Sequence, residues 1–459
     1  MALTTSLGLV GAQAHAPVDG SSGAGDPYWP LDGNGGIDVQ SYRIDNTWSF
    51  RKQKLRGSTT LELRATQDLS SFSLDFLLPV SSVSVDGVPA AFSTSQKHEL
   101  RIRPTTPLAT DSVHRVRVDY AGVPRQYAYA GERAMIWGPK EVVAMGEPHM
   151  SPWWFPANDH PSDKALMDIS VTVPAGREAI ANGHLVSTRK TKKSTTWRWR
   201  ADEPMTTYLA FFAAGDFAIR KGTSEGLPWL VAVSRQLPKP SRKASMKLML
   251  RTPAIVRWLE GSLGDYPFSV TGGLTTSLFT GFALENQTRP TYPAVGSQAT
   301  SLVVHELAHQ WFGDDVAVAQ WRDIWLNEGF ASFMEWYWAE SRGEQSGAVQ
   351  LQRSLRDNPA TSDFWKVTIG DPGAERIFDG AVYERGAMTL QALRTRIGND
   401  EVFFRLLRTW SERKSGGNAT SAEFEALAAE VTGLDLTAFF TAWLRTGSRP
   451  AATADNGLA

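Results

Sequence analysis

Residues 305–309 read HELAH, and Glu328, nineteen positions beyond the second histidine, sits in the stretch NEGFASFMEWYW (327–338). On an α-helix, residues four apart stand one turn above each other on the same face. His305 and His309 can therefore turn two imidazoles toward one point. Glu306 lies about 100° round the helix, where it can reach a metal-bound water without binding the metal. A catalytic zinc takes three protein ligands and keeps a fourth position open. Glu328, at the head of a second helix after a short connection, is the expected third ligand. The chain has no cysteine, so a metal must be held by His, Asp and Glu. The alternative is a core helix with two hydrogen-bonded histidines. Leu302, Val304, Leu307, Ala308, Trp311 and Phe312 read as the buried remainder of the helix in either case.

The expected chemistry follows from that set, with one Zn2+ per chain. Zinc brings the pKa of a bound water down to about 7 and so supplies a nucleophile at neutral pH. Glu306 takes a proton from the attacking water and delivers it to a departing amine. A carbonyl oxygen turning into an oxyanion needs a second donor besides the metal.

Outward from this helix, the two ends of the chain differ in period. Between Ile37 and Phe217 apolar residues alternate: Leu61, Leu63 and Ala65; Phe72, Leu74 and Phe76; Val116 and Val118; Ile169, Val171 and Val173; Trp197 and Trp199. Period two broken by turn residues predicts an antiparallel sheet with one solvated face. The basic run Arg189 to Lys193 falls between two such segments and reads as a solvated hairpin tip. After the Pro- and Lys-rich stretch at 238–243 the pattern turns helical up to Gly261, with a further strand at 274–279. Helices are then expected over 301–313, 328–342, 383–396, 400–413, 421–431 and 435–445. The fold class is α+β, with a β-rich N-terminal domain, a mostly helical C-terminal domain and a boundary near residue 222.

Composition narrows the function classes. The 459 residues are 42% hydrophobic and 21% charged with a net charge of −1, so a nucleic-acid binder, which needs a basic excess, is not indicated. No apolar run reaches the length of a membrane span. The opening MALTTSLGLVGAQAHAP ends like a signal cleavage site but has no Lys or Arg before Arg43. It reads as the remnant of a secretion signal or as a flexible leader. Secretion is expected ahead of a cytoplasmic location.

HELAHQWFGDDV followed by WRDIWLNEGFA resembles the zinc signature of the gluzincin metallopeptidases of the aminopeptidase N and leukotriene hydrolase type. The resemblance implies His305, His309 and Glu328 as zinc ligands and Glu306 as general base. AVYERGAMTL is similar to that family's Tyr-x-Lys-Gly helix start, which makes Tyr383 the oxyanion donor and places Arg385 where the family has Lys. GFALENQTRP is similar to its Gly-x-Met-Glu-Asn motif. Glu285 would bind the substrate's free α-amino group, or else pair with Arg289. Phe282, Ala283 and Leu284 would line the pocket, with Phe282 at the family's Gly and Leu284 at its Met. Met145 stands where members often carry Gln and implies an apolar first pocket. Asp314 and Asp323 are candidates to accept from the outer ring N–H groups of the histidines.

The resemblance covers about residues 28–446. It implies a saddle-like β domain (31–222), a thermolysin-like catalytic domain (223–448) and no C-terminal helical cap domain, while composition alone reads a flexible leader or signal remnant (1–30) and a frayed tail (449–459). The expected activity is removal of N-terminal residues from peptides with a free amino terminus, by a monomer. The alternatives are a thermolysin-like endopeptidase with an open cleft and a non-catalytic peptide-binding protein.

Overall fold

A computed structural model describes residues 16–95, 98–132, 135–296 and 298–459. Residues 1–15, which hold most of the expected signal remnant, lie outside the described residues.

The N-terminal domain is built on an eight-stranded sheet. Its order is His184–Lys190, Ser194–Met205, Ala165–Pro174, Ile37–Ser49, Lys54–Ala65, Val113–Gly122, Val80–Val85 and Val88–Pro89. The alternation read from sequence is the alternation of burial. Leu61, Leu63, Val116, Val118, Ile169 and Val171 are all buried, while the other face carries ion pairs such as Arg117–Asp119 at 2.7 Å. Within this sheet one pairing departs from the antiparallel expectation: Ala165–Pro174 runs parallel to Ile37–Ser49. The two are far apart in sequence, and a long return connection permits the parallel sense. Smaller four-stranded sheets flank the large one, among them Val18–Asp19, Leu69–Asp75, Glu99–Arg103 and Ala91–Ser95. The basic run 189–193 is a hairpin tip, as expected.

Another sheet begins at Phe217. The hairpin Phe217–Ser224 and Leu227–Ser234 pairs on through Thr271–Thr275 to Thr291–Tyr292, so residue 222 falls inside a strand of this second unit. The helices follow: α1 (Lys239–Met249), α2 (Thr252–Leu263), α3 (Thr300–Ala308), α4 (Trp325–Ser341), α5 (Gly347–Asp357), α6 (Gly380–Ile397), α7 (Asp400–Lys414), α8 (Ser421–Thr432) and α9 (Thr437–Phe440). Local chemistry fixes several ends. Asp379 and Asn399 cap α6 and α7, and Thr420 with Glu423 forms a capping box on α8. Helix α5 is absent from the sequence reading, although Ser346 caps it with a bond from the Val349 amide. The helix expected over 435–445 breaks into α9 and a wide π turn, Thr441–Arg445.

Both chain ends depart from expectation over the described residues. The Gly/Ser-rich segment after residue 16 is anchored, because Val18–Asp19 joins a sheet and Asp26 is buried. The Asp26 carboxylate accepts from the amides of Tyr28, Trp29 and Trp321 at 2.8, 3.2 and 3.0 Å, tying the segment to the helical domain. The C-terminal stretch is docked rather than frayed. Trp443 Nε1 donates to the Asn456 carbonyl at 3.2 Å, and Arg396 pairs with Asp455 at 3.1 Å.

Candidate active site

Helices α3 and α4 bring the three expected ligand residues together. His305 Nε2 lies 3.3 Å from Glu328 Oε2, and His309 Nε2 lies 3.4 Å from the same oxygen. Ligand atoms held at about 2.1 Å around a tetrahedral zinc stand roughly 3.4 Å apart, so both distances to Glu328 have the spacing of a tetrahedral edge. The outer ring nitrogens are already engaged. His305 Nδ1 faces Glu335 Oε1 at 2.9 Å and His309 Nδ1 faces the Phe312 carbonyl at 3.0 Å. With the proton on each Nδ1, both Nε2 lone pairs point inward, the arrangement typical of metal-binding histidines. Gly313, at φ 130°, turns the chain so that the Phe312 carbonyl can reach back.

Helix α6 crosses α4 at two glycines. A Cβ on Gly386 would lie 2.5 Å from the Gly329 Cα, and one on Gly329 would lie 2.8 Å from the Gly386 Cα. This close crossing seats Tyr383, in the first turn of α6, beside the cluster. Its ring stacks on His305 with centroids 5.9 Å apart. Burial, then Glu328 and Glu147, pushes its phenol well above the ordinary range, which keeps it a proton donor. Arg385 does not face the site. It is fully buried and spends its five N–H groups on the carbonyls of Trp365, Val367, Ala442, Trp443 and Thr446 at 2.7–3.2 Å. The π turn frees some of these carbonyls, and a guanidinium supplies the fork to collect them. The charge expected at this position is kept, but its role is to dock the C-terminal turn.

The segment 282–285 passes along the other side. Gln310, next to His309, donates to the Glu285 carbonyl at 2.8 Å and to Asp314 Oδ2 at 2.7 Å, and accepts from the Thr288 amide at 2.7 Å. It clamps that segment to the metal helix. Tyr208 donates to Glu285 Oε1 at 3.3 Å. Arg289 does not pair with Glu285; it donates to the carbonyls of Ala181, Gly183 and Leu230 and lies over the Trp199 ring.

These residues open on a cavity of about 680 Å³ lined by Phe282, Ala283, Leu284, Glu285, Leu302, His305, Glu306, His309, Glu328, Phe378, Gly380 and Tyr383, with Glu132, Glu147 and Glu335. Six of these lining residues are glutamates, and none is Lys or Arg. A wall of this sign favours a cation in the cavity and an ammonium in its ligand. Burial would raise the Glu328 carboxyl, but His309 and His305 outweigh it and hold it down to about 2. Burial lifts Glu306 to about 8 against the pull of both histidines. A divalent cation among these groups would reverse that rise.

Neither Asp314 nor Asp323 takes an outer ring nitrogen of the histidines. Asp314 bonds Gln310, and Asp323 accepts from the Ser421 amide and hydroxyl at the start of α8, at 3.0 and 2.5 Å. Glu335 takes the outer position; at i+7 from Glu328 on α4, its spacing was there to be read. Met145 is buried in the core and does not line the cavity, whose apolar wall is Phe282, Leu284, Leu302 and Phe378. Glu147, two residues on, does line it. Burial and then Glu285 push its carboxyl well up, and its Oε1 has no hydrogen-bond partner.

Residues 39–209 match the peptidase M1 N-terminal domain, and residues 273–443 match the peptidase family M1 domain. The chain belongs to peptidase family M1. An M1 zinc metallopeptidase of Deinococcus radiodurans has a similar structure, with a TM-score of 0.83 and 28% identity over 94% of this chain and 98% of its own. A variant of that protein was crystallised with Tyr-Ser-Ala as substrate. The aminopeptidase N of Lactococcus lactis subsp. lactis is 28% identical over 72% of this chain and 41% of its own length. Aminopeptidase M1-D of Oryza sativa subsp. japonica is 27% identical over 64% and 36%. The chain thus spans less than half the length of these curated M1 relatives. It has the two-domain M1 fold, a β-rich domain followed by a helical one. Among the described residues no helix is long and apolar enough to cross a membrane.

Proposed function

We propose that this M1 chain is a zinc aminopeptidase that removes the N-terminal residue of peptides. The observation that carries the reading is one cavity holding a metal-shaped triad and, beside it, the buried Glu285 and half-buried Glu147 carboxylates, which can take an ammonium. His305, His309 and Glu328 would hold the zinc; the 3.3 and 3.4 Å spacing and the pre-engaged outer nitrogens fit it. When bound, zinc supplies an activated water and polarises the scissile carbonyl.

The remaining work falls to side chains of this chain. Glu306 holds the proton taken from the attacking water and returns it to the leaving nitrogen. Tyr383, kept protonated by its surroundings, donates to the developing oxyanion. Glu285 and Glu147 grip the α-ammonium, and each contact is charge-assisted. An acylated terminus brings no positive charge and leaves both carboxylates without a cationic partner, a penalty that separates free from blocked peptides. Glu335 and the Phe312 carbonyl hold the imidazoles in orientation.

The test is hydrolysis of a panel of aminoacyl-p-nitroanilides before and after treatment with a chelator. Activity should vanish on chelation and return with Zn2+. Hydrolysis unaffected by exhaustive metal removal would contradict the proposal.

A further inference from the structure

The β domain brings together another group of side chains of the types that ligate metals. Asp75 ends the strand Leu69–Asp75, Glu99 begins Glu99–Arg103, and the two stand directly opposite in the antiparallel ladder. Their side chains therefore share a face, where like charges repel. Both residues are 0% exposed, so water cannot screen them. His98 precedes Glu99. Its Nε2 lies 3.2 Å from Asp75 Oδ1, 3.8 Å from Glu99 Oε1, 3.9 Å from Asp32 Oδ1 and 3.1 Å from the Leu31 carbonyl. One ligand atom each from Asp75, His98 and Glu99 lies within 4.8 Å of the other two.

The surroundings engage both oxygens of Asp32 and one oxygen of Asp75, and leave the other Asp75 oxygen and the Glu99 carboxylate facing His98. Asp75 Oδ2 accepts from the Asn34 side chain and the Asp159 amide at 3.2 and 2.7 Å. Asp32 accepts from the Tyr129 hydroxyl and faces His149 Nδ1, at 2.7 and 2.8 Å. Asp75 Oδ1 and both oxygens of Glu99 receive no well-directed hydrogen bond. Burial pushes the Glu99 carboxyl up to about 8, Asp75 adds to the rise, and His98 and Ser73 recover only part of it. Buried carboxylate oxygens with too few donors are costly, and the one proton that His98 Nε2 can offer serves one acceptor at a time. A divalent cation among them serves all of them together.

We propose that Asp75, His98 and Glu99, with the Leu31 carbonyl and Asp32 alongside, form a second cation site that takes a divalent transition ion such as Zn2+ or Mn2+. One imidazole with carboxylate and carbonyl oxygens suits these ions better than the all-oxygen shells of Ca2+ and Mg2+. The role is structural. The Tyr129 ring covers His98 with centroids 3.8 Å apart, and none of the three residues lines the cavity described above. An ion there ties the paired strand ends to the 31–34 segment. The site lies outside the peptidase machinery and does not depend on that reading.

The test is elemental analysis of the full chain, loaded with Zn2+ or Mn2+ and freed of excess by gel filtration. The unaltered chain should carry two ions. His305→Ala/His309→Ala should keep one, and Glu99→Gln should keep one while still hydrolysing substrate. One ion in the unaltered chain together with none in the double variant overturns the proposal. Should Glu99→Gln fail to fold, the double variant still decides. After chelation its thermal midpoint should rise by several degrees when Mn2+ or Zn2+ is restored, and an unmoved midpoint counts against the site.

Discussion

The His305–His309–Glu328 cluster and the Asp75–His98–Glu99 cluster both combine histidine with carboxylates at similar burial, yet the first lines the 680 Å³ cavity and the second does not. In the helical cluster the outer imidazole nitrogens are already engaged by Glu335 and the Phe312 carbonyl, so the inner ones converge on an accessible point. Around it stand a base candidate, a phenol and two carboxylates, all reaching the same space. In the strand cluster the carboxylates face each other across a ladder and an aromatic ring covers the histidine. Burial and ligand type are therefore not enough to make an active site. An open side furnished with proton donors and acceptors separates a place for chemistry from a place for a structural ion.

Substitutions can break or sharpen that contrast. The largest effect is expected for Glu306→Gln, which touches the open cluster alone. Loss of a general base costs about 10²–10⁴-fold in kcat, with metal content unchanged; kinetics and elemental analysis on the same sample check both halves. Next comes Arg385, which answers the problem of a buried charge with carbonyls instead of a metal. Arg385→Met strands five acceptors and should cost about 3–5 kcal/mol of stability, measured by denaturant unfolding, with the loss the same with and without added Zn2+. Glu285→Ala should lower kcat/KM for free-amine substrates by about a hundredfold, the worth of a charge-assisted contact. It should leave the rate on N-acetylated ones where it was. The smallest effect is expected for Glu335→Gln, which weakens the orientation of His305. Metal affinity should fall about tenfold, the low end for such partners, as read by competition with a chromophoric chelator.

The two clusters also differ in how far the sequence discloses them. His305, Glu306 and His309 were legible because helical geometry converts a spacing of four directly into a shared face. Glu335 obeys the same rule and could have been found two turns beyond Glu328. Asp75 and Glu99 are brought opposite by strand register, which no local spacing encodes, and Glu147 reaches the cavity through an irregular segment. Domain class followed from the change of period, whereas the second sheet's start at Phe217 depends on pairing across the chain. The ends were misread for a different reason. Gly/Ser and Ala/Asp content suggests flexibility, but one buried carboxylate at Asp26 and one carbonyl at Asn456 are enough to dock each stretch.

The central claim is that the open cluster reads a free amino terminus. Its most direct test is the rate on an aminoacyl-p-nitroanilide beside that on its N-acetylated twin, with the zinc-loaded chain. The account predicts hydrolysis of the free amine and a rate at least about a hundredfold lower on the acetylated one. Equal rates on the two would contradict it, leaving a zinc hydrolase that does not recognise the amino terminus.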